Sequence, residues 1–136
     1  MNRATFARLS SVLVVTITLG TAHAIDIVAI GNPAAAPLTK EQLANVYLGH
    51  NQALTPLDQL ESAPIRADYY KRLTGRDSAQ IKAMWARLTF TGKGQSPREL
   101  PDSNAVKKAV AADPKAIGYI EKSAVDDSVK VLANID

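Results

Sequence analysis

Between Ile25 and Ala133, short β-branched apolar runs alternate with segments whose apolar residues recur at helical spacing. This alternation constrains the fold more than any other feature, because strands separated by helices favour an α/β arrangement with a partly parallel sheet. Ile25-Asp26-Ile27-Val28-Ala29-Ile30 reads as the first strand, ended by Gly31-Asn32-Pro33. Thr39-Lys40-Glu41-Gln42 is a capping box that starts a helix through Leu43, Val46 and Tyr47, with Gly49 as its stop. Residues 54–58 read as a short strand. Ser62-Ala63-Pro64 opens a second helix that ends at Gly75, with Pro64 suited to the first helical position. Asp77 and Gln80 cap a third, whose apolar face is Ile81, Met84, Trp85 and Leu88. Residues 89–91 read as a strand end and residues 92–97 as a flexible loop. Asp102 or Ser103 starts a fourth helix, which ends before Pro114. Residues 116–120 and 129–133 read as strands, with a turn or short helix over 123–127 between them. The expected fold is a single α/β domain over residues 25–136, a three-layer αβα sandwich around a mixed, partly parallel sheet.

Residues 1–24 carry a different pattern, that of a cleavable secretory leader. Arg3 and Arg8 open it without an acid, the stretch from Ser10 to Leu19 is mostly apolar, and Ala22-His23-Ala24 fits small-x-small cleavage after Ala24. The apolar run is about ten residues, short of the roughly 20 that a membrane-spanning helix needs. The periplasm is therefore the expected location. The chain has no cysteine, which excludes a lipidated N-terminus and disulfide staples. Removing the leader leaves 112 of the 136 residues. A domain of that size buries roughly two-thirds of its unfolded surface, enough for a core without staples.

The leader also accounts for most of the net charge of +3. Both charges it removes are arginines, so 16 basic residues become 14 against 13 acidic ones. The remaining Lys and Arg are interspersed with Asp and Glu, and no run exceeds two bases. A basic stripe with interleaved aromatics is missing, so no nucleic-acid partner is expected.

The usual signatures of enzymes are absent. His50 is the one histidine after the leader, which argues against a zinc site and against a catalytic triad. Gly92-Lys93-Gly94 is not a phosphate loop of the Walker type, because Arg87 and Gly94 stand where glycine and a hydroxyl residue are required. The adjacent Asp126 and Asp127 suit neither paired-carboxylate catalysis nor a calcium loop. The expectation is a non-enzyme without metal or cofactor. Tyr47, Tyr69, Tyr70, Trp85 and Phe90 are expected in the core or at its edge.

Helix N-termini bind anions, because their first N–H groups are free and the helix dipole is positive there. Helices here open at Thr39, at Ser62-Ala63-Pro64 and at Asp102-Ser103, and the second carries Arg66 in its first turn. Three segments resemble periplasmic phosphate-binding proteins of ABC transporters. Residues 38–49, LTKEQLANVYLG, resemble that family's LT-x-x-Q-L-x-x-I-[FY]-LG segment. Residues 110–119, VAADPKAIGY, resemble its V-x-x-x-P-G-A-I-G-Y segment, and Ser62 falls where the family has a G-S-G-T turn opening a helix.

The resemblance implies a type II periplasmic-binding-protein fold, here a small single-lobe member. It also implies an oxyanion such as phosphate bound by helix N-termini, hydroxyls and an arginine, with an ABC-type membrane transporter as partner. The candidate ligand residues are Ser62, Arg66 as charge partner, Thr39 or Asn32 from the first loop, and Lys93 in its glycine loop. The chain departs from the family turn at Glu61, Ala63 and Pro64, and Asp58 stands where the family has an arginine four residues before the serine. One lobe leaves an anion open on one side, so a homodimer or a partner would supply the other wall. The alternative is an interaction or sensory module without a ligand, docked on a membrane or signalling partner.

Overall fold

The first strand is apolar at every position because both of its faces are covered. In the computed structural model, which describes residues 25–136, this strand is β1 (Ile27–Gly31), buried along its whole length. The expected leader, residues 1–24, lies outside the described residues. The order continues with α1 (Lys40–Tyr47), β2 (Thr55–Gln59), α2 (Pro64–Thr74), α3 (Ser78–Phe90), β3 (Arg98–Leu100), α4 (Ser103–Ala112), β4 (Ala116–Glu121), a 3₁₀ turn (Lys122–Ala124) and β5 (Lys130–Ile135). Both capping boxes form: Thr39 with Gln42 starts α1, and Asp77 with Gln80 starts α3.

The five strands make one sheet in the order β3-β2-β4-β1-β5. β2 runs parallel to β3 and to β4, while β1 runs antiparallel to β4 and to β5. Thr55 pairs with Ala116, and Gly31 lies opposite Ile117. The carboxyl ends of β2, β3 and β4 therefore share one end of the sheet, and the carboxyl end of β1 lies at the other.

The strand period of two divides the core. Ile27, Ala29, Ile117, Tyr119, Leu132 and Ile135 face α1, α2 and α3. Val28, Ile30, Leu57, Leu100, Ala116 and Ile120 face α4 through Val106 and Val110. The architecture is the three-layer α/β sandwich with a mixed sheet that the alternation implies. Gly118 lies on the α4 side, where an added Cβ would overlap Val106 Cγ1, so this glycine lets α4 approach the sheet closely.

Two local expectations are corrected, and one strand was not expected. Residues 89–91 are not a strand end, because α3 runs to Phe90 and Thr91 donates its N–H to the Arg87 carbonyl. β3 arises in the stretch after the glycine loop. It is only three residues long and is held by parallel pairing with Leu57, Asp58 and Gln59, so no local periodicity announces it. Phe90 is not core but 92% exposed. At 3.6 residues per turn it lies opposite Ile81 on α3, away from the apolar stripe. Tyr47, Tyr69, Tyr70 and Trp85 are buried as expected. Among the described residues, no helix is long and apolar enough to cross a membrane.

Candidate functional site

Two helices begin at the carboxyl ends of the parallel strands: α2 just after β2, and α4 just after β3. In open α/β sheets, such ends are where crevices for ligands form. A cleft of about 490 Å³ lies there, bounded by Gln59, Ala63, Pro64, Asp102, Ser103 and Glu121 among others. Ala63 caps α2 without a side-chain hydrogen bond. Pro64 has no N–H and Arg66 N donates to the Ala63 carbonyl, so Ile65 carries the remaining first-turn amide at that tip. At α4, the Asp102 carboxylate accepts from the Ala105 amide, which leaves the amides of Ser103 and Asn104 at the helix tip.

Gln59 joins the two sides of the cleft. It is 3% exposed, and its side-chain amide donates to Ser103 Oγ at 3.2 Å and to the Tyr119 carbonyl at 3.0 Å. Beneath it lies Asp58, 1% exposed. The Asp58 carboxylate accepts from Tyr70 Oη at 2.5 Å, from Tyr119 Oη and from the Gln59 backbone N–H at 2.9 Å. Arg66 Nε stands 3.6 Å from the same carboxylate. Burial pushes the Asp58 carboxyl above the ordinary aspartate range, while the tyrosine hydroxyls, the Arg66 charge and the Gln59 N–H pull against that shift. Burial and the Asp58 charge raise both tyrosine hydroxyls, so they stay protonated donors.

All four tyrosines of the chain pack around this carboxylate. Tyr69 stacks on Tyr119 with centroids 3.9 Å apart, and Tyr47 meets Tyr69 edge-on at 5.0 Å. Tyr47 Oη donates to the Leu57 carbonyl at 2.8 Å. Their spacing marks these rings as core but carries no sign that they enclose a charge, because the enclosure joins β2, α1, α2 and β4 across the fold.

The candidate ligand residues are distributed as follows. Ser62 is exposed in the turn before α2, beside Ala63 and Pro64 of the cleft wall. Arg66 is in the first turn of α2, where its Nη1 donates to the Gln59 carbonyl at 3.0 Å and to Glu99 at 2.7 Å. Burial works against its charge, but the Glu99 bond and the Asp58 charge more than offset that and raise its pKa. Thr39 is exposed, and its hydroxyl is engaged by the Gln42 amide in capping α1. Asn32 donates to the Val110 and Ala111 carbonyls at the C-terminal end of α4. The cleft uses the other end of that ten-residue helix, about 15 Å away at 1.5 Å per residue. Lys93 is exposed in the loop before β3, and its carbonyl accepts from Gln52 Nε2 at 2.7 Å. Ser62 and Arg66 thus flank the cleft, and Asn32 and Lys93 lie at the opposite end of the sheet. The Asp102-Ser103 helix start is among the sequence's anion-site candidates, but Ser103, Asn104 and Gln59 are not among its candidate ligand residues, and the fold places all three at the cleft.

No protein-family model and no curated protein matches the chain. Solved structures do match it. An ABC-type phosphate transport receptor from Vibrio cholerae is similar over 79% of this chain and 45% of its own, at 19% identity and a TM-score of 0.59. A putative phosphate ABC transporter substrate-binding protein from Clostridium perfringens, solved with bound phosphate, is similar over 79% of this chain and 44% of its own, at 19% identity and a TM-score of 0.64. PstS from Borrelia burgdorferi is similar over 80% of this chain and 47% of its own, at 14% identity and a TM-score of 0.60. The chain thus spans less than half the length of each of these structures, and it has the α/β fold of one of their lobes.

Proposed function

We propose that the protein is a secreted, non-enzymatic binding-protein lobe that takes phosphate or a related oxyanion at the tips of α2 and α4, in the service of ABC-type uptake. The observation that carries this reading is the convergence of two helix starts on one cleft. The free amides of Ile65, Ser103 and Asn104 and the hydroxyls of Ser62 and Ser103 supply donors that suit a tetrahedral anion. The fold shared with phosphate receptors, one of them solved with phosphate bound, supports the same ligand class.

Charge sets the ligand's form and its affinity. The charged residues bounding the cleft are Asp102 and Glu121, and Arg66 at its flank is already paired with Asp58 and Glu99. A carboxylate repels a bare dianion but accepts a hydrogen bond from an oxyanion that keeps a proton at neutral pH. Hydrogen phosphate and hydrogen arsenate have that proton and sulfate does not. Calorimetric titration should give a dissociation constant on the order of 1 mM, about −4 kcal/mol, for phosphate and arsenate, with sulfate at least tenfold weaker. No heat from any of the three at tens of millimolar would remove this reading.

The second reading is an interaction module without a small ligand, docked on a membrane or signalling partner. The specific observation in its favour is the neutralised Arg66 together with Pro64, which removes one amide from the α2 tip. Under that reading a second copy or another protein covers the cleft, and the three oxyanions give no heat.

A further inference from the structure

A second cavity, of about 290 Å³, lies at the other end of the sheet. That is close to the lower bound of ligand pockets, roughly 300 Å³. Its apolar wall is built by Val46 of α1, Leu54 and Pro56 at the start of β2, Trp85 of α3, and Pro97. Among the described residues, Arg98 is its one charged lining residue, and no acid lines it. Arg98 makes no ion pair among the described residues. The bond from Gln52 Nε2 to the Lys93 carbonyl fastens the two loops that form the mouth.

Trp85 is 6% exposed, and Gly94 leaves that exposed part of the indole edge at the cavity. A Cβ there would stand 3.5 Å from Trp85 Cζ3 and 3.5 Å from Gln52 Nε2. The Gly94 backbone is not in the left-handed region, so its conformation does not demand glycine. What a side chain would change at this position is the room beside the ring.

We propose that this cavity binds a small organic anion, a carboxylate carried on an apolar body. An unpaired guanidinium beside an apolar wall has the chemistry for that ligand. The fork of Arg98 matches a carboxylate, and the hydrocarbon covers Leu54, Pro56 and the small exposed edge of Trp85. A bare inorganic anion gains nothing from that wall, so the site is distinct in kind and place from the cleft at the α2 and α4 tips.

Trp85 is the only tryptophan in the chain, which makes its emission a local reporter. Octanoate is the probe, followed by Trp85 emission and by calorimetry in parallel. The expected result is saturable binding at or below millimolar octanoate, with neutral octanol at least tenfold weaker. Inorganic phosphate should leave the Trp85 emission unchanged. Arg98→Gln should weaken octanoate at least tenfold, and Gly94→Leu should abolish binding by filling the space beside the ring. Both positions lie on the surface side of the cavity, and unchanged thermal melting of the variants would confirm intact folds. Absence of saturable octanoate binding by both readouts overturns the proposal. So does equal affinity in folded Arg98→Gln, or octanol binding as tightly as octanoate.

Discussion

Replacing Asp58 by alanine should cost about 3–5 kcal/mol of folding stability, the range for removing one partner of a buried charge pair. A protein of this size has roughly 5–15 kcal/mol in all, so the variant should be partly unfolded at moderate temperature. The carboxylate is buried at some cost, and burial raises its pKa for that reason. Removing it still destabilises, because the groups around it were arranged for it. Tyr70 Oη and Tyr119 Oη lose their acceptor, the Gln59 backbone N–H keeps only Tyr119 Oη, and Arg66 keeps Glu99 but loses its inner carboxylate. Each buried donor left unpartnered costs about 1–3 kcal/mol. Asp58→Asn keeps one acceptor oxygen and should cost less than Asp58→Ala. Urea unfolding is the measurement, and the midpoint should fall with the slope unchanged. An Asp58→Ala protein as stable as wild type would show that the tyrosine cage does not depend on the charge.

The second large effect is at Tyr119. Its ring stacks on Tyr69 and fills the space between β4 and α2. Truncation to alanine should cost about 3–5 kcal/mol, as for other large buried aromatics. Tyr119→Phe keeps the ring and loses only the hydroxyl, which donates to Asp58 and accepts from the Gln59 amide at 3.1 Å. That change should cost about 1–2 kcal/mol. Because the two residues share one bond, Asp58→Ala with Tyr119→Phe should cost less than the sum of the singles. Strict additivity in that cycle would mean that the hydroxyl and the carboxylate stabilise the fold independently.

The contrast between Thr39 and Asp58 shows how far the sequence could be read. Both capping boxes are local, four residues long, and appear where Thr39 with Gln42 and Asp77 with Gln80 place them. The strand and helix order follows from periodicity for the same reason. β3 has three residues and no pattern of its own, so only its partner β2 explains it. The apolar stripe of α3 also carried the information that Phe90 faces away, since its position is off the Ile81, Met84, Trp85 and Leu88 line.

For the site, the helix starts at Ser62 and Asp102-Ser103 were legible, because hydroxyl and small residues precede them. What joins them was not. Gln59 reaches Ser103 and Tyr119 over separations of 44 and 60 residues. Arg66 looked like a free cation in a first turn, where the dipole disfavours it. Asp58 of β2 and Glu99 of β3 answer that conflict. Asn32 read as a loop donor, but the turn of the chain after β1 aims it at the last carbonyls of α4 instead.

The most direct test of the central claim is an amide-resolved NMR titration with sodium phosphate at constant ionic strength and pH. If the oxyanion sits at the tips of α2 and α4, the amide signals of Ile65, Ser103 and Asn104 should shift together and saturate at one dissociation constant. Those of Gly94 and Arg98, at the far end of the sheet, should stay still. Saturating phosphate that moves none of these three amides, or that moves Gly94 and Arg98 instead, would contradict the account.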